Sequence, residues 1–135
     1  MELKNVSRFD PDMVQFDFHN LLDEHEFQNL VGSLVWGSVE YTRGTILELS
    51  SPVEEKPIFC EIRGLATKNQ AVYVFAKRFL NSVFCENLCA YRCTSFDYSV
   101  ILFNEIPYRL ICPSHNHGGQ KYIIRKHAGR LQSIL

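Results

Sequence analysis

The sequence predicts a mainly β domain, a small closed or nearly closed barrel of about six to eight short antiparallel strands with an N-terminal helix. Three observations carry this reading. Strand-like runs at residues 57–64 and 71–79 flank the polar Thr67-Lys68-Asn69-Gln70, the pattern of a β-hairpin. Further short runs of Val, Ile, Tyr and Phe recur between turn formers from residue 39 onward. One stretch of helical periodicity precedes them. Closing such a sheet would hide the strand edges that otherwise invite aggregation.

In chain order, residues 1–22 read as an acidic arm in which Asp10-Pro11-Asp12 opposes a continuous helix. Phe9, Phe16 and Phe18 are its expected apolar anchors on the domain, residues 23–135. Asp23 and Glu26 then stand in a capping-box-like D-x-x-E arrangement, and Phe27, Leu30, Val31 and Leu34 follow at i, i+3, i+4 and i+7. They predict an amphipathic helix over 23–31, ended by Gly32. Strands are expected at 39–42 and 45–49, around a tight turn at Arg43-Gly44, followed by a polar, acidic loop over 50–56. In the central hairpin, Ile58, Cys60 and Ile62 alternate with Glu61 and Arg63. The second run is apolar on both sides, as a strand covered on both faces would be.

Residues 80–87 fit a loop or a short helical turn. A second hairpin is expected from 88–93 and 98–103, joined through Thr94-Ser95-Phe96-Asp97. A third joins 108–112 to 122–125 through the turn-forming stretch of residues 113–120, and a helical tail closes the chain at 128–135.

The chain has 135 residues, one domain by the usual size prior, and its 46% apolar and 13% aromatic content can fill a core without staples. Five cysteines form no disulfide framework, and Met1-Glu2-Leu3-Lys4-Asn5 lacks the apolar segment of a secretory signal. Reduced thiols inside the cell are therefore expected. No run approaches the ~20 apolar residues of a membrane helix. The net charge of −1 conceals a division: residues 1–56 carry −7 and residues 57–135 carry +6. Such a split fits either self-complementary surfaces or an anion-binding half.

Chemistry-bearing motifs are sparse. Cys85, Cys89 and Cys93 recur every four residues, and Cys112, His115 and His117 could join Cys85 or Cys89 around zinc. The spacing is not that of an established zinc module, and buried packing of the thiols is the expectation, with no metal or other cofactor. The two histidines suit a loop tip beside Gly118-Gly119. No nucleophile motif and no phosphate-binding glycine loop occurs, and Glu54-Glu55 reads as a solvated pair, so the expected role is non-enzymatic. Trp36, Tyr41, Tyr73 and Tyr98 are aromatic-cage candidates by residue type only. The basic side chains Lys77, Arg78, Arg92, Arg109, Lys121, Arg125, Lys126 and Arg130, interleaved with Tyr91, Tyr108 and Tyr122, are the candidate binding residues for a partner or a nucleic acid. Strand alternation already keeps Arg125 and Lys126 from sharing a groove.

Gly44-Thr45-Ile46, Pro57-Ile58-Phe59-Cys60-Glu61-Ile62, Ala90-Tyr91 and the basic stretch at 121–127 appear in an order that resembles a β domain near the C-terminus of uncharacterised, transposon-associated animal proteins. The resemblance spans about residues 27–127. It departs at Leu88-Cys89-Ala90-Tyr91, where that family carries His-x-His-Ala-Tyr, so no site built on those histidines is carried over. It implies a barrel of the SH3-like or bromo-adjacent-homology (BAH-like) type, a chromatin or transposon-silencing setting, and a nuclear rather than cytoplasmic location. It brings no catalytic residues. The expected function is a protein–protein interaction module, with another protein or a second copy (a homodimer) as partner. Nucleic-acid binding by the basic C-terminal half is the alternative.

Overall fold

The computed structural model describes residues 1–22, 26–50, 56–107 and 109–125. It is mainly β, with antiparallel sheets and eleven strands among the described residues. Contacts divide the chain into two compact units. The first comprises Met1–Thr45, Glu61–Lys77 and Tyr98–Ile106; the second comprises Ile46–Cys60, Arg78–Asp97 and Pro107–Leu135.

In the first unit, β1 (Glu2–Lys4), β4 (Ser33–Trp36) and β5 (Val39–Thr42) form a three-stranded sheet in the order β1-β4-β5. Leu3 lies opposite Leu34, and Leu34 opposite Tyr41, so these three share one face. Leu34 and Tyr41 are fully buried, and the Tyr41 ring meets Phe103 edge-on at 5.2 Å. Gly37 and Ser38 join β4 to β5 with positive φ at both positions, which a tight two-residue hairpin requires. The expected turn at Arg43-Gly44 is present: the Thr45 amide donates to the Thr42 carbonyl at 3.0 Å, with Gly44 at φ +94°.

The same unit holds β2 (Ser7–Arg8), β3 (Asn29–Val31) and parts of three long strands, β7 (Phe59–Lys68), β8 (Ala71–Cys85) and β9 (Ala90–Leu102), in the order β2-β3-β7-β8-β9. The central hairpin is therefore real. Asn69 and Gln70 make its turn, both at positive φ. Within β8, Val72, Val74, Phe75 and Ala76 are buried, as the unbroken apolar run implies. Phe75 packs with Val14, Phe18 and Ala66, and full burial of such a ring contributes about 1.5–3 kcal/mol.

Two expectations for the N-terminal region fail. Over 23–31, Asn29–Val31 is strand, and residues 26–28 are irregular; the α-helix among the described residues is α1 (His19–Leu22). Leu30 opposite Ala66 and Val31 opposite Leu65 gain ladder hydrogen bonds on β7, and that pairing overrides the helical period. The start of the expected helix, residues 23–25, lies outside the described residues. Phe9 and Phe18 do join the core around Phe75, whereas Phe16 is 82% exposed, its ring against His19 at 5.4 Å.

The second unit contains β6 (Ile46–Glu48), which pairs with β7, and the order β10-β11-β9-β8-β7, where β10 is Ser114–His117 and β11 is Gln120–Ile123. Its core joins Ile46, Phe59, Phe79, Cys112 and Ile123, with Tyr91 and Cys93 packed against them. The expected hairpin through residues 94–97 is absent: β9 runs unbroken. Thr94-Ser95-Phe96-Asp97 holds no Gly or Pro, and each polar member finds a partner across the ladder. Thr94 Oγ1 donates to the Asn81 carbonyl, Asn81 Nδ2 to Ser95 Oγ, and Arg78 to Asp97. Residues 80–87 likewise continue as strand to Cys85 before a 3₁₀ turn at Glu86–Leu88.

The third hairpin is displaced. Among the described residues its first arm is not 109–112, where Ile111 makes an isolated bridge to Leu47, but β10, inside the stretch expected to be the loop. Gly118 and Gly119, both at positive φ, close it tightly, leaving residues 114–117 to pair with 120–123. Tyr108 and the expected tail helix lie outside the described residues. Among the described residues neither sheet closes into a barrel. The terminal strands are instead short, β2 with two residues and β1 with three, which limits what an edge offers for pairing.

Candidate functional site

The basic side chains divide by burial and by face. Arg125 donates from Nε to Glu48 Oε1 at 3.0 Å and from Nη2 to Oε2 at 2.9 Å, and the two side chains are only 7% and 1% exposed. Burial pulls its pKa down, but bonding to Glu48 and Tyr91 outweighs this and the net shift is upward. Ser50 Oγ also donates to Glu48 and accepts from the Ile58 amide, so this carboxylate is anchored from two sides. Such a pair belongs to the interior. Arg78 makes the same forked contact with Asp97, at 3.0 and 2.8 Å, but both side chains are well over a third exposed. The hydrogen bond to Asp97 raises the Arg78 pKa.

Arg92 and Lys121 lie in the region of β9 and β11. Tyr122 is opposite Arg92 on one side and His115 on the other, so these three share a face. Lys121 is opposite Asn116, one residue out of phase, and therefore projects from the other face. Arg109 sits at positive φ in the second unit, and Lys77 is half-buried in β8 of the first. Lys126 and Arg130 lie outside the described residues. Arg92 and Lys121 cannot track one phosphate backbone from a single face, and Arg125 is already committed.

Apolar exposure concentrates elsewhere. In the distal part of β8, Leu80, Val83 and Phe84 are 41%, 48% and 51% exposed, and Phe96 on neighbouring β9 is 50% exposed. Leu80 and Phe84 share one face by alternation and Val83 takes the other, so this segment presents apolar groups on both sides. The Phe84 ring lies 5.1 Å from Tyr91, which lies 5.8 Å from buried Phe59. Aromatic contact thus continues from core to surface. A strand that merely covered its own core would be apolar on one side.

In the first unit a cleft of about 300 Å³ is lined by Met13, Leu30, Leu65, Ser7, Arg43 and Arg63. Arg63 is fixed by Gln15 and Glu61, and Arg43 is exposed and unpaired among the described residues. The aromatic-cage candidates do not act together: Tyr41 faces Phe103, Tyr73 faces Phe27, Tyr98 faces Phe18, and Trp36 is exposed.

The five thiols occupy unlike settings. Cys85 ends β8, Cys89 is exposed in the left-handed region, Cys93 packs beside the core, and Cys60 and Cys112 are buried. Cys112 points among Ile46, Phe59 and Ile123, while His115 and His117 stand exposed on β10, so the sequence-level set of Cys112 with both histidines is divided between interior and surface. Among the described residues no three His, Cys, Asp or Glu side chains gather as a metal site.

Two features escaped the sequence reading. Glu48 was legible in principle, since Ile46-Leu47 and Leu49 enclose it in an apolar strand. The exposure of Phe84 and Phe96 was not, because nothing in their neighbours distinguishes them from core phenylalanines. No helix among the described residues is long and apolar enough to cross a membrane. No protein-family model, curated protein or solved structure matches the chain.

Proposed function

We propose that this chain is a non-enzymatic protein–protein interaction module. The observation that carries the proposal is the distal β8–β9 surface, where Leu80, Val83, Phe84 and Phe96 stay exposed on adjoining strands. Apolar groups left on both faces of a strand favour a partner that covers them, and aromatic side chains are frequent anchors in such contacts. The resemblance to the transposon-associated domains supports a chromatin or transposon-silencing assembly in the nucleus. It also supports an SH3-like or BAH-like relationship for the antiparallel β architecture, here with open sheets.

Nucleic-acid binding by the basic half is the weaker reading, because Arg125 is buried against Glu48 and Arg92 and Lys121 occupy opposite faces. The interaction reading is tested by crosslinking capture with the wild-type chain and with F84D/F96D, after circular dichroism has shown that the variant is folded. Proteins, including a second copy of the chain, that crosslink to the wild type and are lost from the variant identify the partner. Identical captures from the two would overturn the assignment of this surface.

A further inference from the structure

We propose that His115 and His117 form a two-imidazole chelate for a late first-row divalent ion of the nickel, copper or zinc type. The sequence places them around Asn116, and a loop tip would leave their relative position undefined. The structure puts them on a regular strand instead, at i and i+2, so they share one face of β10. Their Cα atoms are then about 7 Å apart. Rings leaning toward the midpoint bring one nitrogen each to the ~2 Å bond length such an ion takes.

Both rings are already held on that face. His115 is directly opposite Tyr122 and stacks on it, with centroids 5.7 Å apart and planes 14° from parallel; His117 meets the same ring edge-on at 6.1 Å. Tyr122 is itself 8% exposed and lies in β11, so it gives both imidazoles a common aromatic contact on that face.

The surroundings also suit a cation. Lys121 and Asn116 project from the opposite face. Among the described residues, Arg92 is the basic side chain in the same row, opposite Tyr122 and hence two strands from His115, about 9–10 Å at normal strand spacing. That is near the screening length at physiological salt, so its repulsion is muted. With nitrogen donors only, the pair selects against calcium and magnesium, which take oxygen ligands, and follows the order in which copper exceeds nickel and nickel exceeds earlier metals. Two protein donors leave the remaining positions to water, unlike a closed four-ligand structural site.

The test is calorimetric titration of the untagged full chain with nickel chloride, chosen because it does not oxidise the cysteine thiols as copper does. The variants are H115A, H117A and H115A/H117A, with H19A as a control, all at exposed or half-exposed positions. A chelate binds its second donor intramolecularly, so either single substitution weakens nickel binding by about tenfold or more, the double variant is little weaker than the singles, and H19A matches wild type. Independent, additive losses at the two positions would overturn the proposal. So would nickel binding that survives the double substitution unchanged, which would assign the ion to the cysteines or another site.

Discussion

Arg125–Glu48 and Arg78–Asp97 are two nearly identical forks in one unit, with all four distances between 2.8 and 3.0 Å, yet they belong to different environments. Side-chain exposure is 7% and 1% in the first pair and 38% and 40% in the second. The geometry is shared; the dielectric surroundings are not. Removing one partner from a buried pair strands an unsolvated charge, whereas an exposed pair surrenders its contact to water. Both arginines looked alike as members of a basic C-terminal half. Only one remains near solvent, and neither is an uncommitted cation awaiting phosphate.

The largest effect expected from this comparison is in the buried pair. Arg125→Met leaves Glu48 buried opposite an apolar chain, and unfolding free energy should fall by about 3–5 kcal/mol, a large fraction of the ~5–15 kcal/mol typical of a domain. Adding Glu48→Leu should restore most of that loss, because apolar replacement of a whole buried pair is often neutral. Urea unfolding of the wild type, the single and the double variant measures both quantities. A double variant as unstable as the single would mean that the pair, together with the Ser50 hydrogen bond, holds β6 in a way apolar packing does not replace.

The contrast also shows which parts of the molecule could be read in advance. The central hairpin was legible because its two apolar runs and its polar turn agree with one another, and so was the Arg43-Gly44 turn. The helix over 23–31 was misread because Leu30 and Val31 satisfy a helical period and a strand face equally well; the edge of β7, remote in sequence, decides between them. β9 was read as two strands because Thr94-Ser95-Phe96-Asp97 is locally polar, and its partners Arg78 and Asn81 lie on another strand. Charge was counted correctly but not located: a tally of basic side chains carries no record of Glu48 beneath Arg125 or of Lys121 facing away from Arg92. For the apolar surface there was still less to see, since exposure of Phe84 and Phe96 depends on tertiary packing remote in sequence.

A smaller effect is expected at the exposed fork. A double-mutant cycle on Arg78→Ala and Asp97→Ala should give a coupling of no more than about 1 kcal/mol, and one that shrinks as salt is added. A coupling comparable to that of the buried pair would show that local burial of β8 and β9 exceeds what their exposure indicates, and the comparison would lose its basis.

The proposal that the basic side chains serve the fold rather than a nucleic acid is tested by fluorescence anisotropy with labelled single- and double-stranded DNA and RNA at low and physiological salt. Scattered and committed arginines predict no binding, or weak binding with no steep dependence on salt. Tight binding at low salt whose logarithm falls steeply with the logarithm of salt concentration would report several phosphate contacts released together, and would contradict the account in favour of a nucleic-acid-binding module.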